Sequence, residues 1–317
     1  MDKRAAVVLG VIFGGLFLVL FAFLVLAYSA VKRSSADIDR ESATSGARIG
    51  VVEVRGVIGD KERGADGEAI VKLIRKYEKE DDVKAILVRI DSPGGAVSPS
   101  QEIYQALKRL RGKKRVVASM SNLAASGGYY IAAAADVVYA NPGTLTGSIG
   151  VIFSHFNVKG TLDWARVEQT TVKSGKFKDT LSPFRAFGEN DREVVQTLSD
   201  DIYDQFIRDV AEGRKLREPE VRGIAEGRIY TGRRARELKL VDELGSLSDA
   251  AARAWKDAGQ TGEPKLQWPT KERDLALRDF LRGAFSGAAE GAASGLKHAA
   301  LKSLPVGPLF LSPLALE

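Results

Sequence analysis

The sequence has no cysteine and only two histidines, His155 and His298, in 317 residues. The absence of cysteine excludes disulfides, thiolate catalysis and cysteine metal sites, and two histidines are too few for a histidine-rich metal centre. The 47 basic and 41 acidic residues are mostly interleaved, a pattern typical of a solvated surface rather than a nucleic-acid-binding one. We therefore expect no metal, no cofactor and no nucleic-acid partner.

Charge is also missing from residues 5–31, which are flanked by basic residues on both sides. A transmembrane helix needs ~20 apolar residues, whereas the apolar part of a cleaved signal peptide is usually ~7 to 15 residues long. Ala27 and Ser29 form only a weak cleavage site, so the length favours a retained single-pass anchor over residues 1–33. The positive-inside rule is less decisive here, and we expect a short cytoplasmic N-terminus and a body outside the cytoplasm.

A polar linker, residues 34–47, precedes a region in which strand and helix patterns alternate. Apolar runs rich in β-branched residues predict strands in RIGVVEVRGVIG, KAILVRIDS, RVVASM, DVVYA and GSIGVIF. Helical spacing predicts helices in GEAIVKLIRKYEKEDD and in SPSQEIYQALKRLRGKK, the second with Ser98 as N-cap. The alternation predicts an α/β domain over residues 48–258, with largely parallel strands whose carboxyl ends collect ligands.

Two small-residue motifs lie just past such strand ends. DSPGG, residues 91–95, exposes backbone N–H groups, and Ser126 precedes two glycines and an alanine-rich helical segment. Acyl transfer needs two N–H donors beside a nucleophile. A turn built from proline and glycine explains the first motif equally well, so a catalytic reading and a structural one both remain open here.

A catalytic serine also needs a base, because its hydroxyl is a weak nucleophile at neutral pH. His155, in IFSHFNVKG, is one candidate. The other is a lysine that burial or neighbouring cations keep neutral. Chemistry alone does not select one residue among the 47 basic ones.

Five motifs between residues 48 and 250 resemble those of the bacterial signal peptide peptidase A family in its short single-repeat form. They are DSPGG, ASGGYYIA, LTGSIGVI, SGKFKDTLSPFR and GRIYTGRRARELKLVDELG. The resemblance implies a Clp protease/crotonase-like fold with repeated β-β-α units. It further implies a serine endopeptidase that uses a Ser-Lys dyad to cleave peptides in or near membranes.

By motif match, the resemblance makes Ser126 the nucleophile and Lys178 the general base. It assigns Ser148 to orienting the lysine, and Gly95 and Gly127 to the oxyanion hole. Lys173 and Lys176 compete with Lys178, and only their spacing within the motif separates them. His155 lies a few residues too far along the chain to match the histidine of Ser-His-Asp Clp proteases, so we expect a structural role for it.

The resemblance also implies how substrate binds. An extended hydrophobic peptide, such as a signal peptide left after secretion, adds as a strand beside Gly94, Ala96 and Val97 on one side and Ile149 and Gly150 on the other. Ring-like homo-oligomers are expected in this family, and the dyad of a single-repeat form could be shared between protomers. The membrane is the third expected partner.

Two further segments carry patterns of their own. In EVVQTLSDDIYDQFIRDVAEGRKL, Val194, Leu198, Ile202 and Phe206 share one helix face, which predicts core or subunit packing. The tail, residues 259–317, combines a narrow apolar stripe with several prolines. It fits an interface helix, a membrane-surface helix or an apolar end that enters a neighbour's active site.

Two other functions are compatible with part of the pattern. A crotonase-like acyl-CoA enzyme uses the same pair of N–H donors, but a transmembrane anchor does not suit it. A noncatalytic membrane scaffold is the other alternative, and the presence of both Ser126 and Lys178 argues against it.

Overall fold

The structure, a computed structural model, describes residues 46–269. The predicted anchor, nearly all of the predicted linker and the tail from residue 270 lie outside the described residues. Within residues 46–269, no helix has both the length and the apolar character needed to cross a bilayer.

The strands of this part of the chain form one mixed sheet. They are β1 (Arg48–Arg55), β2 (Val83–Ser92), β3 (Arg115–Ala125), β4 (Val137–Ala140), β5 (Leu145–Gly147), β6 (Ile229–Thr231), β7 (Glu243–Leu244) and β8 (Leu266–Gln267).

Helices lie between most of these strands. They are α1 (Gly67–Lys79), α2 (Val97–Leu110), α3 (Gly127–Ala133), α4 (Lys159–Trp164), α5 (Glu189–Arg214), α6 (Glu218–Arg222), α7 (Gly232–Glu237) and α8 (Leu247–Asp257).

The sheet runs in the order β6-β5-β3-β2-β1-β8, with β4 and then β7 branching from β3. Every pair is parallel except β5 with β6. The first half of β3 pairs with β4, while its end, at Leu123 to Ala125, pairs with β5. The expected α/β class with largely parallel strands is therefore confirmed, and the sheet extends to β8, past the predicted domain end at residue 258.

The expected β-β-α repeat takes a reduced form. In place of a full second strand after β1, Ile58 makes single parallel bridges to Ala65 and to Gly95. The end of β3 pairs with β5 instead of continuing beside β4. These short pairings lie at the carboxyl ends of the main strands, where the two predicted motifs are found.

Helices cover both faces of the central strands. On β2, Ile86 and Val88 pack toward the side that holds α1, α2 and α3, whereas Ala85 and Leu87 pack with Trp255 of α8. Successive side chains of a strand point to opposite faces. The sequence of a strand that is covered on both faces is therefore a continuous apolar run. That is why KAILVRIDS was recognisable from sequence.

Two local predictions were wrong. Helix α2 begins at Val97 with Ala96 as its N-cap, so Ser98 is inside the helix. GSIGVIF is a strand only at its first residue, because β5 ends at Gly147 and Ser148 has a φ of 50°.

Candidate active site

Ser126 occupies the sharp junction between β3 and α3. Its backbone adopts φ 51° and ψ −119°, a conformation that a residue with a Cβ atom adopts only at a cost of about 1–3 kcal/mol. Two hydrogen bonds hold it there: its N–H donates to the carbonyl of Gly147 at 2.9 Å, and its carbonyl accepts from the N–H of Tyr130 at 2.9 Å. The serine side chain is half-buried and makes no hydrogen bond to another described residue, so its hydroxyl is available to a substrate.

The DSPGG loop is fixed at both ends of its glycine pair. Ser92 Oγ donates to the carbonyl of Gly56 at 2.6 Å and accepts from the N–H of Gly94 at 3.1 Å. Ile58 brackets the pair, because its N–H donates to the carbonyl of Gly94 at 2.9 Å and its carbonyl accepts from Ala96 N–H at 2.8 Å. Hydrogen bonds to Gly56 and Ile58 thus tie the loop to the segment that follows β1.

Two N–H groups at this junction remain without a partner in the described part of the chain. They belong to Gly95 and to Gly127, the first residue of α3. The two segments are in contact, since a Cβ atom on Gly94 would lie 2.8 Å from both Gly127 N and Ser126 Cβ. Unpaired N–H groups beside a serine hydroxyl, one of them at a helix N-terminus, suit a developing oxyanion.

Ser126 opens into a cavity of about 630 Å³. Gly95, Gly127 and Ser148 line it beside the serine. The remainder of the wall comes mostly from α5 and from residues 225–227. The volume accommodates side chains of an extended peptide.

Aromatic side chains form one wall of this cavity. Tyr130 and Phe206 both line it, with ring centroids 4.6 Å apart, and Tyr104 packs edge-on against Tyr130 at 5.1 Å. The hydroxyl of Tyr130 donates to Asp209. Burial, and secondarily the hydrogen bond to that carboxylate, raise the pKa of Tyr130, so this group stays neutral and the wall remains largely apolar.

The predicted lysine-orienting residue, Ser148, lies in the same cavity as Ser126. Its N–H donates to the carbonyl of Arg228 at 2.7 Å. The loop that carries Ser148 is thereby tied to β6, which follows Arg228 directly.

The expected base lies apart from this cavity. The side chain of Lys178 is exposed, does not line the cavity and has no partner for its Nζ among the described residues. Lys173 is instead paired with Asp179, and Lys176 Nζ lies 4.9 Å from the ring centroid of Phe177. Among these three lysines, Lys178 is thus the one whose amine is not engaged within residues 46–269.

His155 also lies outside the cavity lining. Its ring packs 5.4 Å from that of Phe187, and its Nε2 is buried without a hydrogen-bond partner in this part of the molecule. The structural role of His155 stays a prediction.

The predicted peptide-binding residues divide into two groups. Val97 and Gly150 line the cavity, whereas Gly94, Ala96 and Ile149 do not. The side chain of Ile149 is 1% exposed in the core, and its carbonyl accepts from Gly227 N–H at 3.1 Å. A role of these three residues in binding peptide stays a prediction.

The cavity wall formed by α5 was not predicted from the sequence. Gln196, Ser199, Ile202 and Tyr203 of α5 line the cavity together with Phe206. The shared helix face of Ile202 and Phe206 is the available signal, and that pattern predicts core or subunit packing. Leu198, on the same predicted face, is 51% exposed. Within the described residues, no group of three histidine, aspartate or glutamate side chains is placed to hold a metal ion.

Comparison with protein families gives two matches. Peptidase family S49 matches residues 108–261, and the Clp protease family matches residues 55–144. Together the two matches include Ser126 and both glycines with unpaired N–H groups, and the first also includes Lys178.

Similar proteins carry related names. The chain is 46% identical over 208 residues to "Putative protease slr0021" of Synechocystis sp., which covers 66% of this chain and 73% of that protein. It is 35% identical over 218 residues to "Putative signal peptide peptidase SppA" of Enterococcus faecium, and the match covers 66% of this chain and 63% of that protein. It is 32% identical over 252 residues to "Protease 4" of Haemophilus influenzae, and the match covers 77% of this chain and 41% of that protein. The chain therefore spans less than two thirds of the last two proteins.

Proposed function

The chain belongs to peptidase family S49 and is a serine peptidase, and from that premise we propose that it is a membrane-anchored endopeptidase that degrades hydrophobic peptides such as released signal peptides. The observation that carries this proposal is the meeting of Ser126 with the unpaired N–H groups of Gly95 and Gly127 at the edge of a cavity with an aromatic wall. The apolar wall suits hydrophobic side chains, and the name of the Enterococcus relative agrees with this substrate class.

The mechanism follows from the roles of these groups. Neutral Lys178 accepts the proton of Ser126, whose oxygen attacks the peptide carbonyl while the two N–H groups stabilise the oxyanion. The lysine ammonium then protonates the leaving amine, and the amine product departs. Water, activated by the same lysine, hydrolyses the acyl-enzyme and restores Ser126.

Lys178 reaches Ser126 in this proposal from a neighbouring protomer. Within one chain the lysine is exposed and makes no hydrogen bond to Ser126. Residues 152–184 expose large apolar side chains, with Trp164 85% exposed. They are Ile152, Phe156, Trp164, Val167, Val172, Phe177, Leu181 and Phe184. A surface of this kind is typical of a protein interface, and burial at an interface favours the neutral form of an amine.

A fluorophosphonate labelling experiment tests the dyad. Ser126→Ala and Lys178→Ala are expected to abolish labelling, while His155→Ala retains it. Loss at His155 together with full labelling of Lys178→Ala would reverse the assignment of the base.

Mixing variants tests whether the dyad is shared. Co-assembled Ser126→Ala and Lys178→Ala chains contain some sites with both wild-type residues if serine and lysine come from different protomers. Hydrolysis of a hydrophobic peptide should then return in the mixture, although each variant alone is inactive. A mixture that assembles yet stays inactive argues for a self-contained site.

The membrane anchor is tested separately by fractionation. We expect the full chain to sediment with membranes and a chain lacking residues 1–33 to remain in the supernatant. Co-sedimentation of the shortened chain would place the membrane attachment elsewhere.

A further inference from the structure

The turn that carries Lys178 is held in one shape. The N–H of Lys178 donates to the carbonyl of Gly175 at 3.3 Å, and Gly175 has a φ of 96° that favours glycine. Thr180 closes the turn, because both its N–H and its Oγ1 donate to the carbonyl of Phe177, at 3.3 and 2.9 Å. Lys178 thus projects from a closed turn.

Arg185 joins this turn to the start of α5. Its Nη1 and Nη2 donate to the two carboxylate oxygens of Asp191 at 2.5 and 2.7 Å. Its Nη2 also donates to the carbonyl of Asp179 at 2.9 Å, and its Nε lies 3.0 Å from Asp179 Oδ2. One guanidinium therefore links Asp179, the neighbour of Lys178, to a residue of the helix that lines the cavity.

Asp191 is a firm attachment point for this link. Only 6% of it is exposed, and its Oδ2 accepts from the N–H of Gly188, the N-cap of α5, at 3.0 Å. A carboxylate at this position is favoured by the helix dipole. The bond to Arg185, and then that to Gly188, lower the pKa of Asp191, which keeps it charged and the link intact.

Asp179 is engaged with cations other than Lys178. It pairs with Lys173 as well as with Arg185, and these two bonds lower its pKa. The Asp179 carboxylate is thus bound by Lys173 and Arg185 and not by Lys178. The amine of Lys178 is therefore available to a serine hydroxyl.

We propose that Arg185 is a positioning residue, which sets the place of the Lys178 turn relative to α5 through Asp179 and Asp191. The proposal rests on the proposed Ser-Lys mechanism. A general base must lie within hydrogen-bond reach of the proton that it accepts, and a displacement of about 1 Å can cost ~100-fold in rate. A lysine delivered to another protomer depends on this bracing because its amine has no hydrogen bond or ion pair among residues 46–269 that would fix it.

The test replaces Arg185 and compares rates of peptide hydrolysis. We expect Arg185→Met to lower kcat about 10- to 100-fold with KM nearly unchanged, because substrate contacts lie elsewhere, and Arg185→Lys to recover part of the loss. Arg217→Met is the control, since Arg217 binds Glu220 at the start of α6 in an exposed pair away from the Lys178 turn, and it should keep wild-type kcat. Wild-type kcat in Arg185→Met overturns the proposal.

A second variant covers the case in which Arg185→Met fails to fold. Asp179→Asn leaves the Arg185 to Asp191 pair at the helix intact and weakens the bonds of residue 179 to Arg185 and to Lys173. It should fold with a wild-type circular dichroism spectrum and show the same selective fall in kcat. A folded Asp179→Asn protein with wild-type kcat counts against the proposal.

A double-mutant comparison separates positioning from a general structural role. If Arg185 acts through Lys178, then Arg185→Met should cause no further loss in a Lys178→Ala background, measured with an activated peptide ester that keeps residual turnover detectable. An equal fold-loss in both backgrounds indicates a structural role and overturns the proposal. Full activity of Lys178→Ala alone refutes the Ser-Lys mechanism, whereas its inactivity beside a fully active Arg185→Met refutes only the role of Arg185.

Discussion

A Cβ atom on Gly95 would lie 2.2 Å from the carbonyl oxygen of Ile58 and 2.5 Å from its nitrogen. The φ of Gly95 is 154°, so both the space and the backbone conformation disfavour any other residue. Gly95→Ala should therefore push the loop away from Ile58 and misdirect the N–H of residue 95. Since losing one oxyanion donor costs ~100-fold or more in rate, we expect at least that loss in kcat for peptide hydrolysis.

Gly143→Ala is the matched control for this substitution. A Cβ atom on Gly143 meets no atom within 4 Å, and the residue lies in the turn between β4 and β5. Its variant should keep wild-type activity and melting temperature. An active Gly95→Ala enzyme would remove Gly95 from the proposed oxyanion hole.

Substitution of Ser126 should separate activity from stability. Glycine relieves the unfavourable backbone at position 126, whereas alanine does not. We expect both variants to be inactive, but Ser126→Gly to be about 1 kcal/mol more stable than Ser126→Ala, a rise of ~2–4 °C in melting temperature. Calorimetry of the two proteins checks this, and a less stable glycine variant would argue against backbone strain at the nucleophile.

Val97 should influence which side chains the cavity admits. It lines the cavity beside Ser126, so Val97→Phe takes up space on the substrate side. We expect kcat/KM for peptides with large side chains at the cleaved bond to fall about 10-fold or more relative to peptides with alanine there. Ser98→Phe, on the next residue and outside this lining, should leave the ratio unchanged.

Acid should weaken the contribution of Asp191 to stability. Its folded pKa lies below the ordinary 3.8, so the carboxylate stabilises the fold above that pH, and the contribution declines as the pH falls from 3.8 toward the folded pKa. The difference in melting temperature between wild type and Asp191→Asn should therefore be constant near neutral pH and shrink below 3.8.

Asp163→Asn serves as the control for that measurement. Asp163 pairs with Lys159 on the exposed surface, where ion pairs contribute little. Its variant should differ little from wild type at every pH. If the difference in melting temperature between wild type and Asp191→Asn increased below pH 3.8, the prediction that acid weakens the contribution of Asp191 would be wrong.

Sequence reading recovered the central strands and α1 because their signals are local. Four buried residues in a row, Ala85 to Val88, identify a covered parallel strand. The apolar residues at helical spacing in α1 are Ile70, Leu73, Ile74 and Tyr77; Leu73 is half-buried and the other three are buried.

The errors came from contacts distant in sequence. The start of α2 is set by the bond from Ala96 N–H to the carbonyl of Ile58, which a search for N-cap residues does not detect. The strand after Thr146 ends early because Ser148 turns to meet Arg228.

Only part of the candidate site could be predicted from the sequence. Ser126 and the two glycine motifs have strong local signatures and do meet at the carboxyl ends of strands. The wall formed by α5 depends on packing such as that of Phe206 against Tyr130. Asp179 and Arg185 lie in the motif SGKFKDTLSPFR, but the motif does not indicate that Arg185 binds Asp191 at the start of α5.

The bond from Ser148 to Arg228 and the antiparallel pairing of β5 with β6 also bear on the order of synthesis. A ribosome-bound chain that ends before residue 228 contains the nucleophile and both glycines, yet it lacks the strand that completes the loop at Ser148. Peptidase activity should therefore arise only after most of the domain has emerged, which limits premature cleavage by unfinished chains.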